Sequence, residues 1–217
     1  MPGSSKSAKL VTKSSPWGTS GRKRIRDHKR DAVLRTAAQI FNVRGYHETS
    51  LELVAEELGI TRPTVYYYFK NKDEILFECV RMGLKSIEDA AEEVTSRGGT
   101  PAERLVAVMH SYAEVMTAEF GTCLIRVGDT PLPPQSRLKL RKLQANIDRR
   151  IRGIITEGIE GRFFRPCNPK LAAFAIAGAL NSIARWYRPE GPLSASEVAK
   201  ELADILIATL VPQHKQT

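Results

Sequence analysis

Between Thr49 and Lys72 the chain reads TSLELVAEELGITRPTVYYYFKNK, two short helical patterns joined across a single glycine. In the first, Leu51, Val54, Ala55 and Leu58 recur along one helix face, and Thr49 followed three residues later by Glu52 forms a capping-box pattern at its start. Gly59 stops that helix. Thr61 then caps a second one reaching about Tyr68, where Pro63 is tolerated because first-turn N–H groups have no intrahelical acceptor. A helix, a one-glycine turn and a short helix rich in hydroxyls and aromatics make a helix-turn-helix, and the rest of the fold must be compatible with it.

Similar punctuation runs through the remainder. From about Asp27 to Arg44, Val33, Ala37, Ile40 and Phe41 mark an amphipathic helix that Gly45 ends. Asn71 with Glu74 opens a helix from about Lys72 to Val94, and Arg97-Gly98-Gly99 is the clearest internal break. Thr100, Pro101 and Glu103 combine cap, first-turn proline and capping-box acid, which predicts a helix from Pro101 to about Phe120. A short element near Thr122 to Gly128 follows, then the proline-interrupted stretch from Asp129 to Pro134. Further helices are expected from Ser136 to about Gly158 and from Asn168-Pro169 to about Tyr187. After Ser194 and Glu197 comes the last, where Val198, Leu202, Ile205, Leu206 and Leu210 form a wide apolar stripe. No segment reads as a strand. The expected fold class is all-α, with about nine helices, a small helix-turn-helix head over 22–72 and a larger helical body over 73–217.

Charge is placed unevenly. The formal net charge is +9, and Met1 to Arg30 holds nine basic residues (Lys6, Lys9, Lys13, Arg22, Lys23, Arg24, Arg26, Lys29, Arg30) against one acid, Asp27. Residues 1–21 are rich in Ser, Thr, Lys and Gly with almost no apolar periodicity. They cannot offset the entropy of ordering and are expected to be a disordered basic arm. An arm of this kind on a near-neutral body commonly meets phosphate backbones. No run approaches the roughly 18 apolar residues of a membrane span and no secretory leader is evident, so no membrane partner and a cytoplasmic location are expected. Cys79, Cys123 and Cys167 lack a CxxC pair or a histidine at metal-ligand spacing, and are expected as reduced small hydrophobes, with no metal site and no cofactor. The sequence has no GxGxxG, phosphate-loop lysine, HExxH or GxSxG motif and its four histidines are scattered, so no enzyme and no catalytic residue is expected.

The second short helix carries the informative chemistry. Thr61, Arg62 and Thr64 are short or forked donors able to reach base edges or phosphates in a major groove. Tyr66 and Tyr67 can set phenol hydroxyls on phosphates, and Lys70 and Lys72 add cations beside the groove. Val65, Tyr68 and Phe69 fit the core. The run Thr49-Ser50, Ala55, Gly59-Ile60-Thr61, Thr64-Val65-Tyr66, Tyr68-Phe69 and Lys72-Asp73-Glu74 resembles the N-terminal signature of the TetR family of one-component repressors. With the preceding helix the resemblance covers about Asp27 to Phe77. It implies a ligand-responsive repressor that binds a palindromic operator in double-stranded DNA as a homodimer, with Thr49, Tyr66 and Lys72 on phosphates and Arg62, Thr64 and Tyr67 reading sequence. Where many members carry Gly or Ala, this chain has Pro63, which removes a backbone donor at the DNA-facing end. A nonspecific basic DNA-binding protein is the alternative; it accounts for the arm but not for a large, near-neutral helical body.

The resemblance also implies a body that holds a small effector and dimerises through its last two helices. Small residues from Ala172 to Ala179 permit close helix approach, and Phe174, Ala177, Gly178, Leu202, Leu206 and Leu210 are expected at the seam. Met109, Tyr112, Met116 and Phe120 recur at helical spacing, suited to an apolar pocket wall or to ordinary core. From Arg137 to Arg152 seven basic residues (Arg137, Lys139, Arg141, Lys142, Arg149, Arg150, Arg152) stand against Asp148 alone, a helix able to hold phosphates or to be a solvated face. Together with Asn181 to Tyr187, this pattern is similar to TetR regulators of fatty-acid or steroid breakdown that sense acyl-CoA thioesters. On that resemblance Arg141, Arg149, Asn181, Arg185 and Trp186 are expected at the ligand.

Overall fold

The computed structural model describes residues 19–212, with side chains from Arg24 onward. Among the described residues there are nine α-helices and no strand: α1 Thr19–Arg44, α2 Leu51–Glu57, α3 Arg62–Tyr68, α4 Lys72–Arg97, α5 Pro101–Thr117, α6 Glu119–Arg126, α7 Pro134–Glu160, α8 Pro169–Trp186 and α9 Ala195–Ala208. Residues 1–18 of the expected basic arm lie outside the described residues, while 19–21 already belong to α1, which starts well before Asp27. Arginine and lysine are good helix formers and extend α1 without needing an apolar stripe.

The caps are mostly those the sequence implies. Asn71 accepts from the Glu74 N–H, Asn168 from those of Lys170 and Leu171, and Thr100/Glu103 and Ser194/Glu197 are complete capping boxes. One cap differs. α2 is opened by Ser50, whose hydroxyl accepts from the Leu53 N–H at 3.2 Å, whereas Thr49 is buried and donates to the Gly45 carbonyl at 2.7 Å. Thr61 precedes α3 without capping it; its hydroxyl pairs with that of Thr64 at 2.8 Å. At the turn, Gly59 has φ +61°, its N–H donates to the Glu56 carbonyl and that of Ile60 to the Ala55 carbonyl, the double closure of a Schellman motif.

α5 is the axis of the body, packed against α4, α7, α8 and α9, and Leu105, Val108, Met109, Ala113 and Met116 along it are almost fully buried. α4 joins head to body. Its Ile75 and Leu76 lie in the core shared with α1, and Val80, Leu84, Ile87 and Ala91 continue that core along the body. The core cysteines Cys79 and Cys123 are buried thiols; the Cys79 thiol donates to the Leu34 carbonyl at 3.5 Å, and burial pushes it up, away from the reactive thiolate. Arg165 ties the chain between α7 and α8 to the end of α9, its N–H on the Leu210 carbonyl at 2.8 Å and its guanidinium on that of Thr209 at 2.6 Å.

The corner between α5 and α6 departs from the sequence reading. α5 stops at Thr117, Ala118 is extended (φ −86°, ψ 162°), and α6 begins at Glu119. Packing decides this: a Cβ on Gly121 would sit 1.9 Å from the Val115 carbonyl oxygen and 3.0 Å from the Met116 Cα. The obstructing atoms are backbone and cannot rotate away. Gly121→Ala is therefore expected to destabilise the protein by about 3 kcal/mol or more, lowering the thermal midpoint by roughly 6–12 °C. Gly153→Ala, in an exposed helix interior with nothing within 4 Å of the added carbon, is expected to stabilise by about 1 kcal/mol. Circular-dichroism melting of the two variants checks both signs.

Candidate nucleic-acid interface and ligand cavity

α3 stands at the surface of the head with Tyr67 71% and Tyr66 42% exposed, while Val65 and Phe69 anchor it from beneath. Three groups converge on Arg62 at its start. The Glu52 carboxylate of α2 meets its Nε at 2.5 Å, its Nη2 donates to the Tyr66 hydroxyl at 3.2 Å, and its guanidinium carbon lies 5.3 Å from the Tyr66 ring centre. Pro63 and Thr64 complete the first turn, Thr64 partly buried and engaged with Thr61. Lys70 is exposed, its N–H held by the Glu74 carboxylate at 2.8 Å.

Lys72 and Thr49 are placed differently from these. The Lys72 ammonium donates to the carbonyls of Tyr46 (3.0 Å), His47 (3.3 Å) and Thr49 (3.2 Å) and sits 4.4 Å from the Tyr46 ring centre. All three of its protons are thus engaged in closing the turn between α1 and α2. The Tyr46 hydroxyl donates to Asp73, and burial, helped by that carboxylate, keeps it protonated far above the usual phenol range. Thr49 is 2% exposed and turned inward.

In the body a cavity of about 240 Å³ lies among α4, α5, α6, α7 and α8, with Tyr112, Leu124, Ile151 and Ala173 in its wall and Gln144 and Asp148 on α7. Its polar feature is the Tyr112 hydroxyl donating to Asn181 Oδ1 at 3.0 Å, with burial raising the phenol to about 12. Tyr112 and Asn181 thus meet at the cavity. Met109, Met116 and Phe120 do not line it: they are buried in the surrounding core, Met109 and Met116 on the stripe of α5 that faces neighbouring helices and Phe120 in the first turn of α6. Nor do Arg141, Arg149, Arg185 and Trp186. Arg149 donates to Asn146 at 3.2 Å, Trp186 is 48% exposed and donates to Ser182 at 3.2 Å, and Arg141 and Arg185 are exposed. Asp148, read only as the lone acid in a basic run, lies on the wall and pairs with Arg152 at 2.7 Å. Ile147 and Ile151 continue the apolar stripe of α7 from Leu140, a periodicity that marks them as buried without saying against what.

α6 connects this cavity to the head. Leu124 and Ile125 line the cavity, and the next residue, Arg126, donates from Nε to the Ala184 carbonyl of α8 at 2.9 Å and from Nη1 to the Asn42 carbonyl of α1 at 3.2 Å. At the other end of α6, Glu119 pairs with Arg35 of α1 at 3.3 Å, and its carbonyl accepts from the Asn42 amide at 2.9 Å. Composition and periodicity did not single out Arg126 or Glu119, since their partners are main-chain carbonyls and a residue far away in sequence.

The outer face of α8 and α9 is apolar and open. Leu171 is 64%, Phe174 53% and Ile205 60% exposed, Ala175 and Gly178 are exposed between them, and nothing lies within 4 Å of a Cβ built on Gly178. Leu202, Leu206 and Ala177 are half-buried. Leu210 is not on this face: it is 4% exposed inside the protomer, held there by the contacts of Arg165.

Residues 33–79 match the family described as bacterial regulatory proteins, tetR family, and residues 98–210 match the tetracyclin repressor-like C-terminal domain. The HTH-type transcriptional repressor KstR2 of Mycolicibacterium smegmatis is 26% identical over 191 residues, spanning 82% of this chain and 89% of that protein. The TetR-family regulator PfmR of Thermus thermophilus superposes with a TM-score of 0.75 at 32% identity, over 81% of this chain and 97% of that one. AibR, solved with isovaleryl coenzyme A and operator DNA, shares the fold with a TM-score of 0.74 at 23% identity, over 86% of this chain and 100% of that one. The helix-turn-helix head, the helical body and both family matches together make this chain a member of the TetR family of bacterial transcriptional regulators.

Proposed function

We propose that this protein is a homodimeric repressor that binds a palindromic operator and is released by a small acyl thioester. The observation that carries the reading is α6: one short helix forms part of the cavity wall through Leu124 and Ile125 and holds the head through Arg126 and Glu119. A ligand that moves α6 moves the contacts of α1. Such coupling requires the ligand to favour one of the two arrangements, which contact with a wall on the moving element provides.

Size and charge narrow the effector. A cavity of about 240 Å³ with a mostly apolar wall has room for an acyl group. The wall is apolar apart from Tyr112, Asn181, Gln144 and Asp148, so a neutral thioester carbonyl fits there better than a carboxylate. Phosphates would lie outside, where Arg141 precedes Gln144 by three residues on α7 and Arg185 follows Asn181 by four on α8. α7 and α8 are consecutive and in contact, and the chain reversal that a short connection favours would bring both arginines toward the same end of the cavity. AibR, with its bound isovaleryl coenzyme A, supports the choice of a thioester. Residues Thr61, Arg62, Pro63, Thr64, Tyr66, Tyr67 and Lys70 form the proposed groove-facing set, and Lys72 acts on DNA through its charge while it braces the turn. The open face of Leu171, Phe174, Gly178 and Ile205, flanked by Ala177, Leu202 and Leu206, is the proposed dimer seam.

Operator release titrated with isovaleryl-CoA, longer acyl-CoAs and the matching free acids tests the effector. Short thioesters are expected to release DNA and free acids to fail, with Arg141→Ala weakening the response by roughly ten-fold while leaving ligand-free DNA affinity unchanged. Equal potency of acids and thioesters would overturn the thioester assignment. Lys72→Ala is expected to lower affinity for every duplex and reduce the salt slope by about one. Losing its three carbonyl contacts should also cost about 1–3 kcal/mol of stability. A salt slope equal to that of the wild type in a gel-shift series would leave Lys72 a brace alone. For the dimer, Phe174→Glu is expected to shift the sedimentation of a micromolar sample from dimer to monomer; a monomeric wild type would remove the seam.

A further inference from the structure

Arg62 is the one forked donor in the first turn of α3, and it does not wave in solvent. Its Nε edge is occupied by the Glu52 carboxylate at 2.5 Å, and the Tyr66 hydroxyl and ring hold one face and one Nη2 proton. Glu52 is an acid in the first turn of α2, two residues after the Ser50 cap, where the helix dipole favours its charge. An exposed ion pair of this kind adds little to folding stability. Its geometric effect is larger: with the carboxylate standing at the Nε side, the guanidinium turns its Nη1/Nη2 end toward a groove, and a bidentate contact to guanine needs a correctly aimed pair of N–H groups.

The carboxylate also has an electrostatic consequence. A negative charge on the groove-facing side of the head repels phosphates, and that repulsion is relieved where Arg62 stays beside it. When the duplex offers Arg62 no acceptor in line and the side chain swings to the backbone instead, Glu52 is left unpaired next to DNA. Such a charge discriminates by penalising the wrong sequence, a repulsive element set against the attractive one.

We propose that Glu52, although it makes no base contact itself, is a specificity-determining residue of this regulator: it aims Arg62 at one base pair of each half-site and disfavours duplexes that lack it there. The proposal rests on α3 being the groove-reading helix.

Selection of bound duplexes from a randomised double-stranded DNA library, followed by sequencing, tests it with full-length wild type, Glu52→Gln and Arg62→Ala. Wild type is expected to yield a motif. Arg62→Ala is expected to lose preference at one base pair per half-site, and Glu52→Gln to lose roughly ten-fold of discrimination at that same position while binding unselected duplex more tightly than wild type. Glu52→Asp, which keeps the charge, is expected to recover part of the preference. Melting curves of Glu52→Gln that overlay those of the wild type accompany the expected result, since a generally weakened head would lose preference at every position. An undiminished motif for Glu52→Gln, or a preference lost at a base pair that Arg62→Ala retains, overturns the proposal. A wild type that selects no motif overturns it together with the sequence-reading role of α3, whereas a motif with a failed Glu52 comparison leaves that role standing.

Discussion

At the corner of α5 and α6, Gly121 is pressed against the Val115 carbonyl with no room for a methyl group, and the direction of α6 follows from that contact. A side chain there would force the two helices apart. Because they are not apart, α6 turns back along the body with Leu124 and Ile125 toward the cavity, and its two polar ends, Glu119 and Arg126, reach α1. Close-packed interiors transmit small displacements rather than absorbing them, so a wall of the cavity and a support of the head have become one rigid element. Gly83 on α4 approaches the same corner, where a Cβ would lie 3.0 Å from the Phe120 carbonyl oxygen. The helix that spans head and body is therefore seated against it too.

The head is organised by a different force. Its apolar residues settle where the helices lie, but its charged side chains settle how the surface is presented. Lys72 donates three hydrogen bonds to carbonyls of the α1–α2 turn, and Tyr46, over which it sits, is in turn bound to Asp73. At the start of α3, Glu52 and Tyr66 engage Arg62. The Arg62 pair is exposed, so its weight lies in geometry more than in stability, whereas Lys72, over buried Tyr46, contributes to both. A groove-reading surface gains from this, since side chains already held in place lose less entropy on docking.

Much of this architecture is legible in the order of the residues. The helix count, the breaks at Gly45, Gly59 and Gly98-Gly99, and the caps at Asn71, Thr100, Asn168 and Ser194 depend on nearest neighbours in sequence, and the backbone obeys them. The helix-turn-helix and the family resemblance come from the same short-range pattern. Reading fails where a residue has to choose between a local and a distant partner. Thr49 matches a cap but is drawn into the α1–α2 turn, and the cap falls to Ser50. Leu210 continues the stripe of α9 but is captured by Arg165.

The amphipathic periods, glycines and capping residues determined by themselves that this chain is a bundle of helices with a DNA-binding type of head, because each is a property of residues three or four apart. Which face of each helix looks inward onto a cavity, outward to solvent or across to α1 was decided only by the tertiary structure. Met109, Met116 and Phe120 carry the same apolar signal as Tyr112, yet only Tyr112 meets the cavity, beside Asn181 from a distant helix. Apolar side chains record that they are buried but not against what, and a guanidinium such as that of Arg126 finds main-chain carbonyls that every residue possesses. Those choices are settled when helices pack, by shape and by the partners then within reach.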